Sequence, residues 1–241
     1  MVSASEVTSR TSRLLALINH LVNGIESLIM DCQCREGYLD IDLNDVEGLL
    51  GGEVPVYLNG CIYKPDKLFE LRRLIDYGLV NNVLIRLGSV GIRYGVLYNI
   101  AFNIIDRDLI TYIRDISLRA SLTGIEYMYV VLDDGKAVLI EGDVDKVVIP
   151  KVNSVLSIHT HRYGCLPSPN DLKSLTELLF DGGLGAGIVS PECYLLIYRV
   201  GPFTEDDYIA IKNLRGSLEE IKAIPNNIRL GRSLILRMHH L

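Results

Sequence analysis

The chain has 241 residues, enough for one large domain or two small ones that each bury a core. Hydrophobic residues make up 49% and charged residues 22%, which is an ordinary globular composition. The formal net charge of -6 argues against a nucleic-acid binder that works through a broad basic surface, although it leaves room for a local basic patch.

The sequence of residues 1–105 predicts a helix-rich mixed domain, and it leaves the role of this domain open. Apolar residues recur at helical spacing within Leu14–Met30, which predicts a helix over roughly residues 8–30. Asn19 and Glu26 interrupt this run, so we expect the helix to bury one face and not to cross a membrane. That buried face must pack somewhere, either on the rest of the chain or in a homodimer contact.

Two further elements complete this first domain. Pro65 opens and Gly78 closes a second predicted helix. Val83–Phe102 is rich in Val, Ile, Leu and Tyr and is interrupted by glycines, which predicts short strands joined by glycine turns. No linker-like segment follows, so the boundary near residue 105 is soft.

Residues 106–241 predict an α/β domain with a mixed sheet flanked by helices. Asp106 is predicted to cap a helix, and further helices are predicted from Ser168 to Gly182 and from Thr204 onward, with Asp207 as the capping partner of Thr204. An Asp-Gly turn between apolar runs predicts a hairpin. The predicted strands are Tyr127–Leu132, Ala137–Ile140, Val147–Ile149, Val155–His161, Ala186–Val189 and Tyr194–Val200.

The cysteine count is odd, and the N-terminus lacks the basic-then-apolar design of a targeting segment. We therefore expect reduced thiols in a cytoplasmic protein. Cys32 and Cys34 are interpreted as buried or incidental, and Cys165 as a packing residue or an exposed thiol. The cysteines are Cys32, Cys34, Cys61, Cys165 and Cys193.

Most of the functional information lies between residues 157 and 171. His159 and His161 are two apart at the end of an apolar strand, so their imidazoles share one face and suit a single Zn²⁺. Asp171, at a helix start where the dipole favours a carboxylate, is the natural third ligand. Three ligands leave a fourth position open for water, as in catalytic zinc sites.

A purely structural interpretation exists for each half of this pattern. Ser168-Pro169-Asn170-Asp171 is an ordinary capping box with proline at the first helical position. A lone His-x-His is more often an accident of a strand end than a ligand pair. The two patterns together, separated by a short loop, favour the metal site.

His159-Thr160-His161 followed by a short loop and Ser168-x-x-Asp171 resembles the signature of the JAMM (MPN+) zinc metallopeptidase family. The resemblance covers roughly residues 106–210 and implies a JAMM-like, cytidine-deaminase-like fold. It implies that His159, His161 and Asp171 bind zinc, that Ser168 assists the oxyanion, and that an upstream glutamate is the general base.

The upstream glutamate is identified as Glu126, because the RadC-like members of the family show a similar glutamate, strand and Leu-Asp turn. Glu141 is the alternative. Two features depart from the family pattern: the spacer between His161 and Ser168 has six residues where the family has seven, and Arg162 stands where proline is common.

The resemblance implies hydrolysis of an amide bond by a zinc metallopeptidase or isopeptidase. The expected cofactor is Zn²⁺, and the expected substrate is a peptide or a conjugate of a ubiquitin-like or sulfur-carrier protein. We expect no membrane partner and no nucleic acid. The alternatives are a non-catalytic MPN scaffold, which usually lacks the ligand residues, or a RadC-like protein linked to nucleic-acid transactions.

Overall fold

The computed structural model describes residues 3–43, 45–61, 68–144, 153–214 and 227–241. The strands in these ranges are β1 (Ser3–Glu6), β2 (Glu36–Leu39), β3 (Glu53–Asn59), β4 (Asn82–Leu87), β5 (Ile92–Arg93), β6 (Ile125–Leu132), β7 (Ala137–Val144), β8 (Ser154–Thr160), β9 (Gly185–Val189), β10 (Cys193–Arg199), β11 (Asn227–Leu230) and β12 (Leu234–His240). The α-helices are α1 (Arg10–Asp31), α2 (Phe69–Asp76), α3 (Val96–Ile104), α4 (Ile110–Thr123), α5 (Pro169–Phe180) and α6 (Glu205–Leu214).

The protein is a mixed α/β structure with two mixed sheets flanked by helices. The larger sheet has eight strands in the order β1-β7-β6-β8-β9-β10-β12-β11, and the smaller has four in the order β4-β3-β2-β5. In the larger sheet β8 and β9 run parallel, whereas the other described pairs are antiparallel. A parallel pair needs a crossover connection, and α5 supplies it.

The two faces of the larger sheet are covered by different helices. Alternation along β6 and β8 sends Tyr129 and Ile158 to one face, where they join the core formed with α1 and α4. On the opposite face, Ile188 and Leu195 pack in a second cluster with residues of α5 and α6. Met128 and His159 pair on this second face, which we call the α5 face.

Helix α1 is the central helix of the core and covers the predicted segment 8–30. Ser9 caps it in a reciprocal capping box with Ser12. By length and composition α1 could cross a membrane, but 72% of its most apolar 18-residue window is buried inside the protein, and a core helix passes the same test. It contacts β6 and β8 of the larger sheet as well as α2 and α3.

The predicted boundary near residue 105 falls inside a continuous helical run. The π-helical segment Ile105–Leu109 joins α3 to α4. β1, from the start of the chain, pairs with β7 at the edge of the larger sheet. The buried core that holds α1 extends without interruption to residues of β6, β8 and β10.

Two predictions in this region were wrong. Residues from Val96 onward form helix and not strand, since a short run of Leu, Ile and Tyr fits either structure and packing beside α1 decides. Asp106 lies inside the helical run and caps nothing. Its carboxylate accepts a hydrogen bond from Tyr194 Oη and lies 3.4 Å from Arg237 Nη2.

The other predicted elements are largely confirmed. Each described strand predicted beyond residue 106 is present, α5 begins after Ser168, and Thr204 N and Oγ1 both donate to Asp207 Oδ2. The second helix begins later than predicted, at Phe69. Pro65 and the strand predicted at Val147–Ile149 lie outside the described residues.

The expectation of reduced thiols is wrong for four of the five cysteines. Cys34 is bonded to Cys61, and Cys165 to Cys193. Cys32 is the free, buried thiol. The members of each pair are 27 and 28 residues apart, a separation that carries no signal in the sequence. Disulfides are typical of oxidising compartments and of hyperthermophile interiors, so cytoplasmic localisation loses the support that free thiols would give.

Candidate metal centre

The end of β8 presents His159 and His161 on the α5 face of the sheet. His159 pairs with Met128 of β6 and Ile188 of β9. The backbone N–H of His161 donates to Val189 O at 3.0 Å, which continues the pairing one residue beyond β8. Because this register keeps the alternation intact, both imidazoles emerge on the same side, as predicted.

Helix α5 brings Asp171 to the same place through its capping box. The N–H of Asp171 donates to Ser168 Oγ at 3.2 Å, and the N–H of Ser168 donates to Asp171 Oδ2 at 2.6 Å. Pro169 occupies the first turn. The structural and functional interpretations therefore apply together, because the cap fixes the carboxylate that faces the histidines.

The three side chains converge at the spacing that a tetrahedral zinc requires. Ligands at 2.0–2.1 Å from one tetrahedral ion lie roughly 3.3 Å apart. His159 Nε2 lies 3.1 Å from His161 Nε2 and 3.4 Å from Asp171 Oδ1. His161 Nε2 lies 3.8 Å from Asp171 Oδ2. Among the described residues, this is the group of histidine, cysteine and carboxylate side chains that could hold a metal ion.

The electrostatics favour the cation-binding forms of His161 and Asp171. Burial, together with the neighbouring His159, lowers the pKa of His161 to about 4, against the pull of Asp171, so this imidazole is neutral near pH 7. Burial alone would raise the pKa of Asp171, but the hydrogen bonds from His159 and Ser168 hold that pKa far below its ordinary range. Neutral imidazole and ionised carboxylate are the states that bind zinc.

Ser168, the N-cap of α5, lies three residues before Asp171 and is exposed. Its oxygen accepts the capping hydrogen bond from Asp171, so the hydroxyl proton is not used in the cap. The hydroxyl can therefore donate to an oxygen that approaches the three ligands.

Glu126 and Glu141 lie on neighbouring strands but at different register positions. Continuing the β6–β8 pairing by two residues from Met128 brings Glu126 level with His161, beside a shift in the β6–β7 register. Glu141 lies opposite Tyr127, on the face that alternates away from Met128 and His159. The group of possible ligand atoms within 4.8 Å of one another comprises His159, His161 and Asp171 among the described residues, and it includes neither carboxylate.

Arg162, which stands where the family commonly has proline, contacts Tyr163 and the C-terminal end of α4. The Arg162 guanidinium lies over the Tyr163 ring, with 5.6 Å from Cζ to the centroid. Its Nη1 lies 3.5 Å from where a Cβ at Gly124 would stand. Gly124 is the C-cap of α4, where the helix dipole favours a cation. Arg162 therefore anchors the start of the loop on the opposite side of the sheet.

Two residues that shape the site were not predicted from the sequence. Thr160, fully buried between the two histidines, accepts a hydrogen bond from Tyr127 N–H through Oγ1 at 2.9 Å and so ties β6 to β8 next to Glu126. Cys193 is bonded to Cys165 inside the loop between His161 and Ser168. Neither carries a local signal, since each acts through a partner more than 25 residues away.

Comparison of the chain with protein-family models, with curated proteins and with solved structures gave no match. The resemblance to the JAMM family therefore rests on the signature residues themselves and on the metal-ligand geometry that they form.

Proposed function

We propose that this protein is a zinc-dependent metallopeptidase or isopeptidase that hydrolyses an amide bond. The observation that supports this most strongly is the convergence of His159, His161 and Asp171, whose ligand atoms all lie within 4.8 Å of one another. Two histidines and one carboxylate are a donor set typical of catalytic zinc, because they leave one coordination position for water or substrate.

Zinc held by these three residues would polarise a carbonyl oxygen and lower the pKa of water to about 7. The protein supplies the remaining functions. Glu126, two residues before Met128 in β6, is proposed as the general base, and it would take a proton from the attacking water and return it to the leaving amine. The Ser168 hydroxyl would donate to the oxyanion that forms on the carbonyl.

The substrate class follows from the family resemblance. We propose a peptide, or an amide bond to a ubiquitin-like or sulfur-carrier protein, as the substrate. The exposed Ser168 and the part-exposed side chains of His161 and Asp171, 21% and 24% accessible, leave the centre open to a macromolecular chain.

The experiment combines zinc loading with a test of turnover. Zinc-reconstituted protein is incubated with a peptide pool and with ubiquitin-like conjugates, and newly released amines are quantified. We expect release that stops on chelation and in a Glu126→Gln variant that still holds zinc. Zinc-loaded protein without turnover on any amide would instead favour a scaffold, and salt-sensitive DNA binding would favour the RadC-like alternative.

A further inference from the structure

We propose that the Cys165–Cys193 disulfide is a positioning element of the metal centre, which is preorganised for zinc only while this bond is intact. The inference rests on the proposed function and concerns how the same site is held in its metal-binding geometry. Cys165 lies in the connection between His161 at the end of β8 and Ser168 at the start of α5. The disulfide therefore joins the segment between two metal ligands to the sheet.

The anchor on the sheet is firm. Cys193 begins β10 and pairs with His240 of β12. Ser190, fully buried, donates its N–H to Cys193 O at 2.8 Å and accepts the Cys193 N–H through Oγ at 3.2 Å. Cys193 is 4% exposed, so it is held by a sheet and a tight turn together.

The loop depends on this anchor more than a helix or strand would. Residues 161–168 belong to no helix or strand, so regular backbone pairing does not fix their course. Cys165, 1% exposed, packs in the same core cluster as Leu172 and Leu175 of α5. Two residues separate Cys165 from Ser168, whose cap orients Asp171. Holding Cys165 therefore holds the start of α5 at its distance from the histidines.

A metal site is sensitive to small displacements of its supporting residues. Ligands must stay within roughly 0.5 Å of their productive positions, and loss of a supporting contact commonly weakens metal binding by about 10–100-fold. We expect an effect of this size when the loop is released. The ligands themselves remain, so binding weakens and is not abolished.

The same bond makes the centre responsive to a reductant. A dithiol would transfer two electrons and two protons to the disulfide, leaving thiols at Cys165 and Cys193 while the dithiol itself becomes a disulfide. Both sulfurs are buried, so exchange requires the loop to open. Reduced protein would then bind zinc less tightly than oxidised protein.

The chain provides a matched control in its other disulfide. Cys34 and Cys61 join the C-terminal end of α1 to the segment after β3, in the region of the four-stranded sheet. Serine replacement of this pair removes one disulfide and two sulfurs, as replacement of Cys165 and Cys193 does, but leaves the loop before Ser168 cross-linked.

The test measures zinc affinity by competition with a fluorescent chelator, and the absorption spectrum of the Co²⁺-loaded protein. We expect the Cys165→Ser, Cys193→Ser variant to raise the zinc dissociation constant about 10–100-fold and to change the Co²⁺ bands. The Cys34→Ser, Cys61→Ser variant should keep both at wild-type values. If the first variant does not fold, wild-type protein that is reduced with a phosphine and still folded by circular dichroism replaces it. This reduced protein should show the same loss of zinc affinity and the same change in the Co²⁺ bands.

Equal zinc affinity in the oxidised and reduced wild type, or equal losses in the two variants, would overturn the positioning role and leave the proposed function standing. Oxidised wild-type protein that binds no zinc would overturn the proposed function and this inference together.

Discussion

Glu141 lies directly opposite Tyr127 in the β6–β7 pairing, on the face of the sheet turned away from His159. A carboxylate on that face meets the side of the sheet covered by α1 and α4 and not the side that carries the metal ligands. Glu126 immediately precedes Tyr127 in β6, at the shift in the β6–β7 register, and the alternation of Met128 continued by two residues would turn it to the α5 face. The register therefore favours Glu126 as the base.

We predict that Glu126→Gln keeps zinc and lowers kcat by about 10²–10⁴-fold, because a general base acts on the proton of water and not on the ion. Glu141→Gln should keep both zinc and turnover. Zinc content and steady-state kinetics of the two variants are the measurements. Loss of turnover in Glu141→Gln with normal turnover in Glu126→Gln would reverse the assignment.

Asp171 has two roles that one substitution can test. Asp171→Asn retains an oxygen that can accept the Ser168 N–H but removes the charge that binds a cation. We expect zinc binding weakened by at least tenfold and a less stable metal-free protein near pH 7, because the lowered pKa of Asp171 means that its ionised form stabilises the fold. Chemical denaturation and zinc titration would measure the two effects.

The contrasting variant is Ser168→Ala, which removes the N-cap hydroxyl. We expect it to cost about 1 kcal/mol of stability, to keep zinc, and to lower kcat. A Ser168→Ala protein with wild-type kcat would exclude the oxyanion role of this hydroxyl.

A second polar cluster lies far from the metal centre, at the other end of α5. Arg199 Nη2 donates to Tyr98 Oη at 2.7 Å and lies 3.7 Å from Glu26 Oε2, and both charged side chains are almost fully buried. Burial raises the pKa of Glu26, while Arg199 and the Tyr98 hydroxyl oppose that rise. Glu26 and Arg199 line a cavity of about 550 Å³ between α1, α5 and α6.

We predict that Arg199→Ala destabilises the fold by about 3–5 kcal/mol near pH 8, because it leaves a buried carboxylate unpaired. When folding raises the pKa of a carboxyl group, the protein loses stability as the pH rises above the pKa of that group in the unfolded chain, which for Glu26 is 4.5. Without Arg199 the pKa of Glu26 rises further. The difference in the free energy of unfolding between variant and wild type should therefore shrink as the pH falls toward 5. If urea unfolding gives the same free-energy difference between variant and wild type at pH 8 and at pH 5, Glu26 and Arg199 are not coupled in this way.

The fragment 106–241 should not fold alone. The fragment lacks α1 and β1, so the face of the sheet that carries Tyr129 and Ile158 would be exposed. The fragment also begins inside the helical run from Val96 to Thr123. We expect aggregation or non-cooperative thermal unfolding. A soluble, zinc-loaded fragment with full activity would show instead that residues 1–105 are an independent module.

Features with a local physical cause could be predicted from the sequence. The capping box at Ser168, the Asp-Gly hairpin and the strand that ends in His159 and His161 each depend on neighbouring residues only. Features set by distant partners could not. The π-helical segment turns Asp106 toward Tyr194, 88 residues away, and the Cys165–Cys193 bond depends on how β8, α5 and β10 pack.

The most direct test of the central claim is the zinc content of the purified protein after removal of metal and reconstitution. We predict one zinc per chain for the wild type and none retained by His159→Ala, with both proteins equally folded by circular dichroism. Wild-type protein that takes up no zinc, or a His159→Ala variant that holds zinc as tightly as the wild type, would contradict this prediction.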